Sequence, residues 1–249
     1  MQLAGKVCLI TGGTKGIGAA TAVELARQGA AISIVGRNDD VEARQVRSQV
    51  EAFGRRCVLV LADIGKPEEA GACVQETARL LGGVDVLVHS AGGPVPGGLL
   101  EIKPADWLAG FNIHVHAVFF LCRAAIPLMQ KKKEGAIILI SSAAGKRGIP
   151  GNACYQVVKG ALPQFARALA REFAHDNIRA NVVAPGVIRT RFHAAMTEAV
   201  KKNNLENRIP LHREGTSEQV AALIRELIVN DYITGETVSI DGGLTMRIA

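Results

Sequence analysis

Aromatic residues are scarce in this chain of 249 residues: they make up 4%, with one tryptophan and two tyrosines, while apolar residues reach 48%. A core poor in rings has to be built from Ala, Val, Ile and Leu, which suits buried parallel strands covered by helices better than an aromatic-rich β-sandwich. Cysteine offers no scaffold either. Cys8, Cys57, Cys73, Cys122 and Cys154 are odd in number, scattered, and nowhere at CxxC or zinc-ribbon spacing, so neither a disulfide framework nor a metal site is indicated. No apolar run approaches the roughly 20 residues of a membrane span. The N-terminus runs straight into a strand-like segment, which leaves no signal peptide and makes a reduced, cytoplasmic setting the expectation. A long basic stripe with interleaved aromatics, the mark of a nucleic-acid site, is missing too. The net charge of +6 is a mild excess that suits an anionic ligand. The one dense basic run, Lys131-Lys132-Lys133, reads as a helix end whose dipole favours cations.

What is present is a rhythm. Strand-like runs at Val7–Thr11, Ala31–Val35, Val58–Ala62, Val84–Ser90, Ala136–Ile140, Ala180–Ala184 and Thr237–Ile240 alternate with helical patterns near 16–28, 40–53, 67–80, 104–131, 152–175 and 217–229. Strand followed by helix, repeated, predicts a doubly wound α/β domain: seven strands, a parallel sheet, right-handed crossovers and helices on both faces, all in one domain over 1–249. The polar stretch 189–215 breaks the rhythm, with a short helix expected around 193–202. Such insertions at the carboxyl ends of strands commonly form substrate lids, with a solvated insertion without function as the lesser alternative.

The first strand ends in Thr11-Gly12-Gly13-Thr14-Lys15-Gly16-Ile17-Gly18 and opens a helix. Gly12 would allow the tight turn, Gly16 a close approach of backbone to a pyrophosphate, and Gly18 close packing of helix on strand. Thr14, Lys15 and Ile17 complete the cradle, with the pyrophosphate on the helix N-terminus. Strand–loop–helix context is what makes a glycine trio informative, and here it gives a Rossmann dinucleotide fold. No Gly-Lys-Ser/Thr triplet follows, which excludes a P-loop. Where an NAD site carries an acidic residue after the second strand, this chain has Gly36-Arg37. Arg37 and Lys15 could flank a 2′-phosphate, favouring NADP(H) over NAD(H). Asp39 and Asp40 are the counter-argument, since either could turn towards the ribose.

Tyr155 and Lys159 lie four residues apart on a helical segment and so share a face. A phenol near pKa 10 is a poor base at neutral pH, but a neighbouring ammonium and the positive charge of an oxidised nicotinamide are together expected to lower it. Ser142, thirteen residues before Tyr155, follows the fifth strand, where its hydroxyl can steady a developing alkoxide.

Taken together, these motifs resemble the short-chain dehydrogenase/reductase family, in its branch of about 250-residue chains similar to 3-oxoacyl-thioester reductases. The resemblance spans essentially the whole chain, including Asn181-Val182-Val183-Ala184-Pro185-Gly186 and the closing Asp241-Gly242-Gly243. It implies Tyr155 as acid/base, Lys159 as its ribose-binding partner and Ser142 as the carbonyl orienter. Asp63 and Ile64 would border the adenine, and Ser90, Ala91 and Gly92 the ribose. Pro185, Gly186, Ile188 and Thr190 would hold the nicotinamide. A homotetramer built through the helices at 104–131 and 152–175 is implied as well. The substrate would be a small carbonyl or alcohol, an acyl thioester first, a sugar or polyol next. A cofactor-binding sensor or scaffold without turnover is the reading of another class. The expected pocket wall is Gly93–Gly97, Arg147–Asn152, Val187 and Arg191–Met196.

Two departures stand out. The family pattern Asn-Asn-Ala-Gly is His89-Ser90-Ala91-Gly92 here, which should alter how neighbouring strands are tied together. The family's catalytic asparagine, eight residues after Asp106, is replaced by His114. Either His114 takes over the proton relay and makes turnover pH-sensitive between about pH 6 and 7.5, or it is structural. His116 is expected to face elsewhere.

Overall fold

The computed structural model describes residues 1–190 and 196–246. Strands β1 (Val7–Thr11), β2 (Ala31–Gly36), β3 (Cys57–Leu61), β4 (Val86–His89), β5 (Gly135–Ile140), β6 (Ile178–Pro185) and β7 (Thr237–Ile240) form one parallel sheet in the order β3-β2-β1-β4-β5-β6-β7. The expected seven-stranded doubly wound sheet is what folds, and strand ends shift by no more than two residues. Both faces of the sheet are covered. In β1, Cys8 and Ile10 point to one face and Leu9 to the other, as period-two strands require. On the first face, α1 (Gly16–Arg27), α2 (Val41–Glu51) and α8 (Ser217–Val229) bury Leu25, Val46 and Ile224 against Ile32, Ile34 and Ile138. On the second, α3 (Pro67–Leu81), α5 (Ala117–Gln130) and α6 (Ala153–Glu172) bury Val74, Leu121 and Leu162 against Leu87, Ile137 and Val182. The strand order reverses between β1 and β4, and a crevice opens at that switch point, outside the carboxyl ends of the strands.

Three local expectations change. The predicted helix 104–131 is α4 (Pro104–Phe111) followed by a wider π-turn at Asn112–His116 and then α5. The widened turn draws His114 into the interior while His116 stays exposed, bonded to the Asn112 side chain at 2.9 Å. The whole stretch Pro104–Gln130 is long and apolar enough to cross a membrane by length and composition, which the absence of an unbroken apolar run concealed. Here it lines the core, with Val118, Leu121, Ala125 and Met129 fully buried. The lysine run does more than favour a helix dipole: Lys132 reaches the buried Asp85 at 2.6 Å, and Lys133 pairs with the buried Asp176.

The polar segment after β6 is closed at its base. Arg189 N donates to Gly215 O at 2.9 Å and Gly215 N to Val187 O at 3.0 Å. Its helix, α7 (Glu198–Asn203), starts later than expected because Thr197 caps it by accepting from Val200 N, and a second π-turn, Asn204–Arg208, follows. Part of the expected 193–202 helix, and Arg191 to Ala195 of the expected pocket wall, lie outside the described residues.

Candidate active site

The crevice at the switch point is a cleft of about 1070 Å³ running from Arg37 at one end to Ser142, Tyr155 and Lys159 at the other. Every residue assigned from the sequence to catalysis or cofactor binding lines it except Gly18. A Cβ on Gly18 would stand 2.2 Å from Gly12 O, so this glycine packs beneath the loop and supports it from inside. Close approach to the second strand falls to Gly13, whose added Cβ would lie 2.9 Å from the Ile34 side chain; nothing in the residue pattern separates Gly13 from its neighbours. A Cβ on Gly12 (φ +64°) would lie 2.8 Å from Ala91 Cα, and one on Gly16 (φ +53°) would meet the Thr190 side chain. Lys15 offers α1 no side-chain cap, which leaves the first-turn N–H groups for an anion. A dinucleotide phosphate fits this cradle.

Beyond β2 the charges are arranged differently from expectation. Lys15 Nζ lies 2.9 Å from Asp40 and 2.8 Å from Glu42, and these carboxylates raise its pKa. Asp40 also caps α2, accepting from Ala43 N at 2.9 Å, and Asp39 pairs with Arg44. Both aspartates are thus engaged with their own helix. Arg37 is exposed on the cleft rim and has no ion pair among the described residues. Asp63 accepts from Gly65 N at 3.1 Å, and its own N–H donates to Glu69, which shapes the turn where Ile64 is buried.

At the other end, α6 is locked to the end of β5. Ser141 Oγ donates to Lys159 O at 2.7 Å, and a Cβ on Gly145 would lie 2.8 Å from the Lys159 carbonyl carbon. Gln156 holds the preceding loop, accepting from Ile149 N at 2.8 Å. These ties bring Ser142 to Tyr155, whose hydroxyls are hydrogen-bonded. Lys159 is buried, donates to Ile140 O at 2.8 Å and stands 5.7 Å from the centre of the Tyr155 ring. The Ile140 carbonyl had no sequence signal, since any residue type presents one.

Burial sets the protonation here. It pushes Lys159 down to about 7 and His114 to about 2, with the Lys159 charge adding to the effect on His114. Of the two alternatives for His114, this favours the structural one over titration near neutrality: at 1% exposure, burial holds the ring neutral. Without the charge of an oxidised nicotinamide, the neighbouring ammonium alone does not lower Tyr155. Its phenol is raised, chiefly by burial, against an opposing contribution from the Ser142 hydrogen bond. A lysine that is itself near 7 carries only part of its charge at neutral pH. The cofactor-free site therefore holds Tyr155 as an acid. Of the expected pocket wall, Gly93, Pro94, Ile149, Asn152, Val187 and Met196 line the cleft, but Arg147 turns away to bond Thr245 O.

Comparison with known proteins agrees with this geometry. The model of the family described as enoyl-(acyl carrier protein) reductase matches residues 12–245. The 3-oxoacyl-(acyl-carrier-protein) reductase of Synechocystis is 36% identical over 247 residues, 98% of each chain. The chain belongs to the short-chain dehydrogenase/reductase family. Solved structures in the same fold include a blue fluorescent protein from a metagenomic library in complex with NADPH (TM-score 0.90, 33% identity, 98% of this chain and 99% of that one). A Serratia marcescens short-chain dehydrogenase/reductase variant superposes with a TM-score of 0.92 at 30% identity, covering 98% of this chain and all of the other. Against this short-chain dehydrogenase/reductase background, the histidines at 89 and 114 remain the points where the chain leaves the pattern that its motifs resemble.

Proposed function

We propose that the protein is an NADP(H)-dependent oxidoreductase that interconverts a ketone and a secondary alcohol, with 3-oxoacyl thioesters as its substrate class. One observation carries the reading: Ser142 and Tyr155 present two bonded hydroxyls beside buried Lys159, at the far end of a cleft that begins with a phosphate cradle. A bound nicotinamide would supply the hydride. The chain does the rest. Ser142 and Tyr155 orient the carbonyl oxygen, within about 3 Å of both as a working distance. Tyr155, kept protonated by burial, gives its proton to that oxygen, and the two donors stabilise the developing charge. Lys159, poised near 7, holds a proton to return to Tyr155.

Two hydroxyls converging on one oxygen suit a carbonyl better than a bare C=C bond, which favours the activity named for the Synechocystis relative over the one in the family description. The cleft lining includes Pro94, Ile149, Val187, Met196, Val200 and Leu244 beside the polar Asn152, Asn204 and Arg208, and this apolar share supports an acyl chain over a polyol. NADP(H) is supported by exposed Arg37, by engagement of both nearby aspartates, and by the NADPH in the metagenomic neighbour. The segment 189–215 serves as the substrate lid of a single domain in this reading. The protein works in the cytoplasm as a homotetramer, away from membranes and nucleic acids; Leu108 (59% exposed), Phe119 (45%) and Val157 (49%) on α4, α5 and α6 supply apolar surface for the assembly.

The test is loss of nicotinamide absorbance with NADPH or NADH and a panel of 3-oxoacyl thioesters, enoyl thioesters, ketoses and ring ketones. Faster oxidation of NADPH with the 3-oxoacyl thioesters is expected. Turnover of ketoses alone would move the assignment to a polyol dehydrogenase. Tight NADPH binding with silence across the panel would make the protein a cofactor sensor.

A further inference from the structure

The acids that line the cleft, Asp40, Glu42 and Asp63, all follow β2 or β3, on the adenosine flank. Past β6 the lining carries two arginines and, among the described residues, no carboxylate. Arg189 is paired with Glu214 at 3.2 Å. Arg208 has no ion pair among the described residues, although the lysines of the same segment do: Lys201 with Glu198 at 2.6 Å and Lys202 with Glu206 at 3.9 Å. Those two are surface pairs of ordinary helical spacing. Arg208 is the cation of this segment that faces the cleft.

Its guanidinium is held from beneath. The π-turn Asn204–Arg208 closes where Ile209 N donates to Asn204 O at 2.8 Å, and Asn204 is 2% exposed. The buried amide is committed on both sides: Oδ1 accepts from Arg208 Nη1 at 2.8 Å, and Nδ2 donates to the Met196 sulfur at 3.2 Å. That bond is the one side-chain hydrogen bond of Arg208 among the described residues, so most of a five-donor fork is left for a carboxylate or phosphate. The turn is seated beyond β7. Leu211 N donates to Gly242 O at 3.2 Å, and a Cβ on Gly242 would lie 2.8 Å from Ile209 Cγ2. Along the sheet order, Arg37 follows β2, Ser142 follows β5, and the turn ending in Arg208 sits by β7. The reacting hydroxyls therefore stand between two cations, one on the adenosine flank and one on the opposite flank.

We propose that Arg208, oriented by Asn204, is a specificity-determining residue that binds an anionic group, phosphate or carboxylate, carried by the substrate away from its reacting carbonyl. In a 3-oxoacyl thioester that group has two sources: a phosphate on the thiol arm, or a carboxylate at the far end of the acyl chain. Arg37 and Arg208 then divide the anions between them, the cofactor's on one flank and the substrate's on the other. This deepens the proposed function and rests on it, so one arm of the test needs no turnover.

In that arm, protein saturated with NADP+ is titrated by calorimetry with two matched pairs: phosphopantetheine against pantetheine, and octanoate against octanamide. At least one anion is expected to bind about tenfold tighter than its neutral partner, with the preference lost in Arg208→Gln and partly kept in Arg208→Lys, which retains charge without the fork. A preference within the first pair assigns the thiol arm, and within the second the acyl end. Equal binding of charged and neutral partners, or a preference that survives Arg208→Gln, overturns the proposal. In the kinetic arm, the anionic 3-oxoacyl thioester so identified is compared with its neutral counterpart. Arg208→Gln should lower the preference in kcat/KM about tenfold, through KM. A raised KM for NADPH with that preference intact would make Arg208 a cofactor contact, and the proposal would be wrong. Silence on every thioester, with the anion preference present and lost in Arg208→Gln, would count against the proposed function and leave Arg208 as the anion site.

Discussion

The two ends of the cleft use ionisable side chains in opposite ways. At the adenosine end, Lys15, Arg37, Asp39, Asp40 and Glu42 are solvated or half-solvated, and are paired or open to an anion. At the catalytic end, Lys159, His89, His114 and Tyr155 are withdrawn from water, and burial drives all four towards their neutral forms. Surface charge recognises an anion at modest energetic cost, while buried groups near neutrality can exchange a proton without being trapped by a strong ion pair. Geometry enforces the difference. The adenosine end is a loop and two helix starts on the rim, whereas the catalytic end lies between β4, β5, the π-turn and α6.

The largest effect should come from removing the acid. Tyr155→Phe is expected to lower kcat by about 10²–10⁴-fold while NADPH still binds, as a fluorescence titration would read. Substantial residual turnover would mean that the buried end is not where the proton comes from. Next in size is Arg37→Glu, which should raise the KM for NADPH by about ten- to a hundredfold and leave NADH far less affected, because a charge-assisted contact is worth about 1.5–3 kcal/mol. Equal losses for both cofactors would break the assignment of the rim to phosphate recognition.

The buried end also predicts a pH dependence of stability in the cofactor-free protein. His89 and His114 have folded pKa values of about 3 and about 2, below the unfolded value of 6.5. Below pH 6.5 the unfolded chain therefore binds more protons, and stability falls as pH falls, by up to about 1.4 kcal/mol per pH unit for each ring. Lys159, at about 7 against 10.5, adds the same sign between pH 10.5 and 7 and nothing below. Urea unfolding at pH 5, 6.5 and 8 should show the decline, and His114→Asn should flatten its acid limb relative to the unmodified protein. An acid limb unchanged in the variant would mean that His114 is solvated enough to titrate.

The contrast between the ends also governs what could be read from sequence. Rim and helix features depend on local spacing: the glycines from Gly12 to Gly18, the Gly36-Arg37 step, and the four-residue interval from Tyr155 to Lys159. They end up together because strand–helix alternation leaves little freedom in how the sheet is wound. The catalytic interior depends on contacts between distant backbones. The Ile140 carbonyl under Lys159, the Gly93 carbonyl on His114 and the π-turn itself have no residue signature. Protonation misled for the same reason. Spacing shows that an ammonium stands near a phenol, but how dry the site is, which decides the direction of the shift, is a tertiary property. The run Lys131 to Lys133 was likewise legible as charge, while its buried aspartate partners were not.

The smallest effect sharpens the rim itself. Lys15 and Arg37 look equivalent in sequence, two cations flanking one expected phosphate, but the fold makes them unequal. Lys15 is already neutralised by Asp40 and Glu42, so a 2′-phosphate must compete with two carboxylates for it, whereas Arg37 has no such competitor among the described residues. Exposed pairs of this kind are worth about 0–1 kcal/mol, so Lys15→Ala should raise the KM for NADPH only about two- to fivefold. Glu42→Gln, which removes one of the two carboxylates on Lys15 without disturbing the Asp40 cap on α2, should tighten NADPH about twofold and leave NADH unchanged. If Lys15→Ala costs as much as Arg37→Glu, the lysine leaves its carboxylates when the cofactor arrives. The rim would then be a switchable site, no longer the fixed contrast to the buried end.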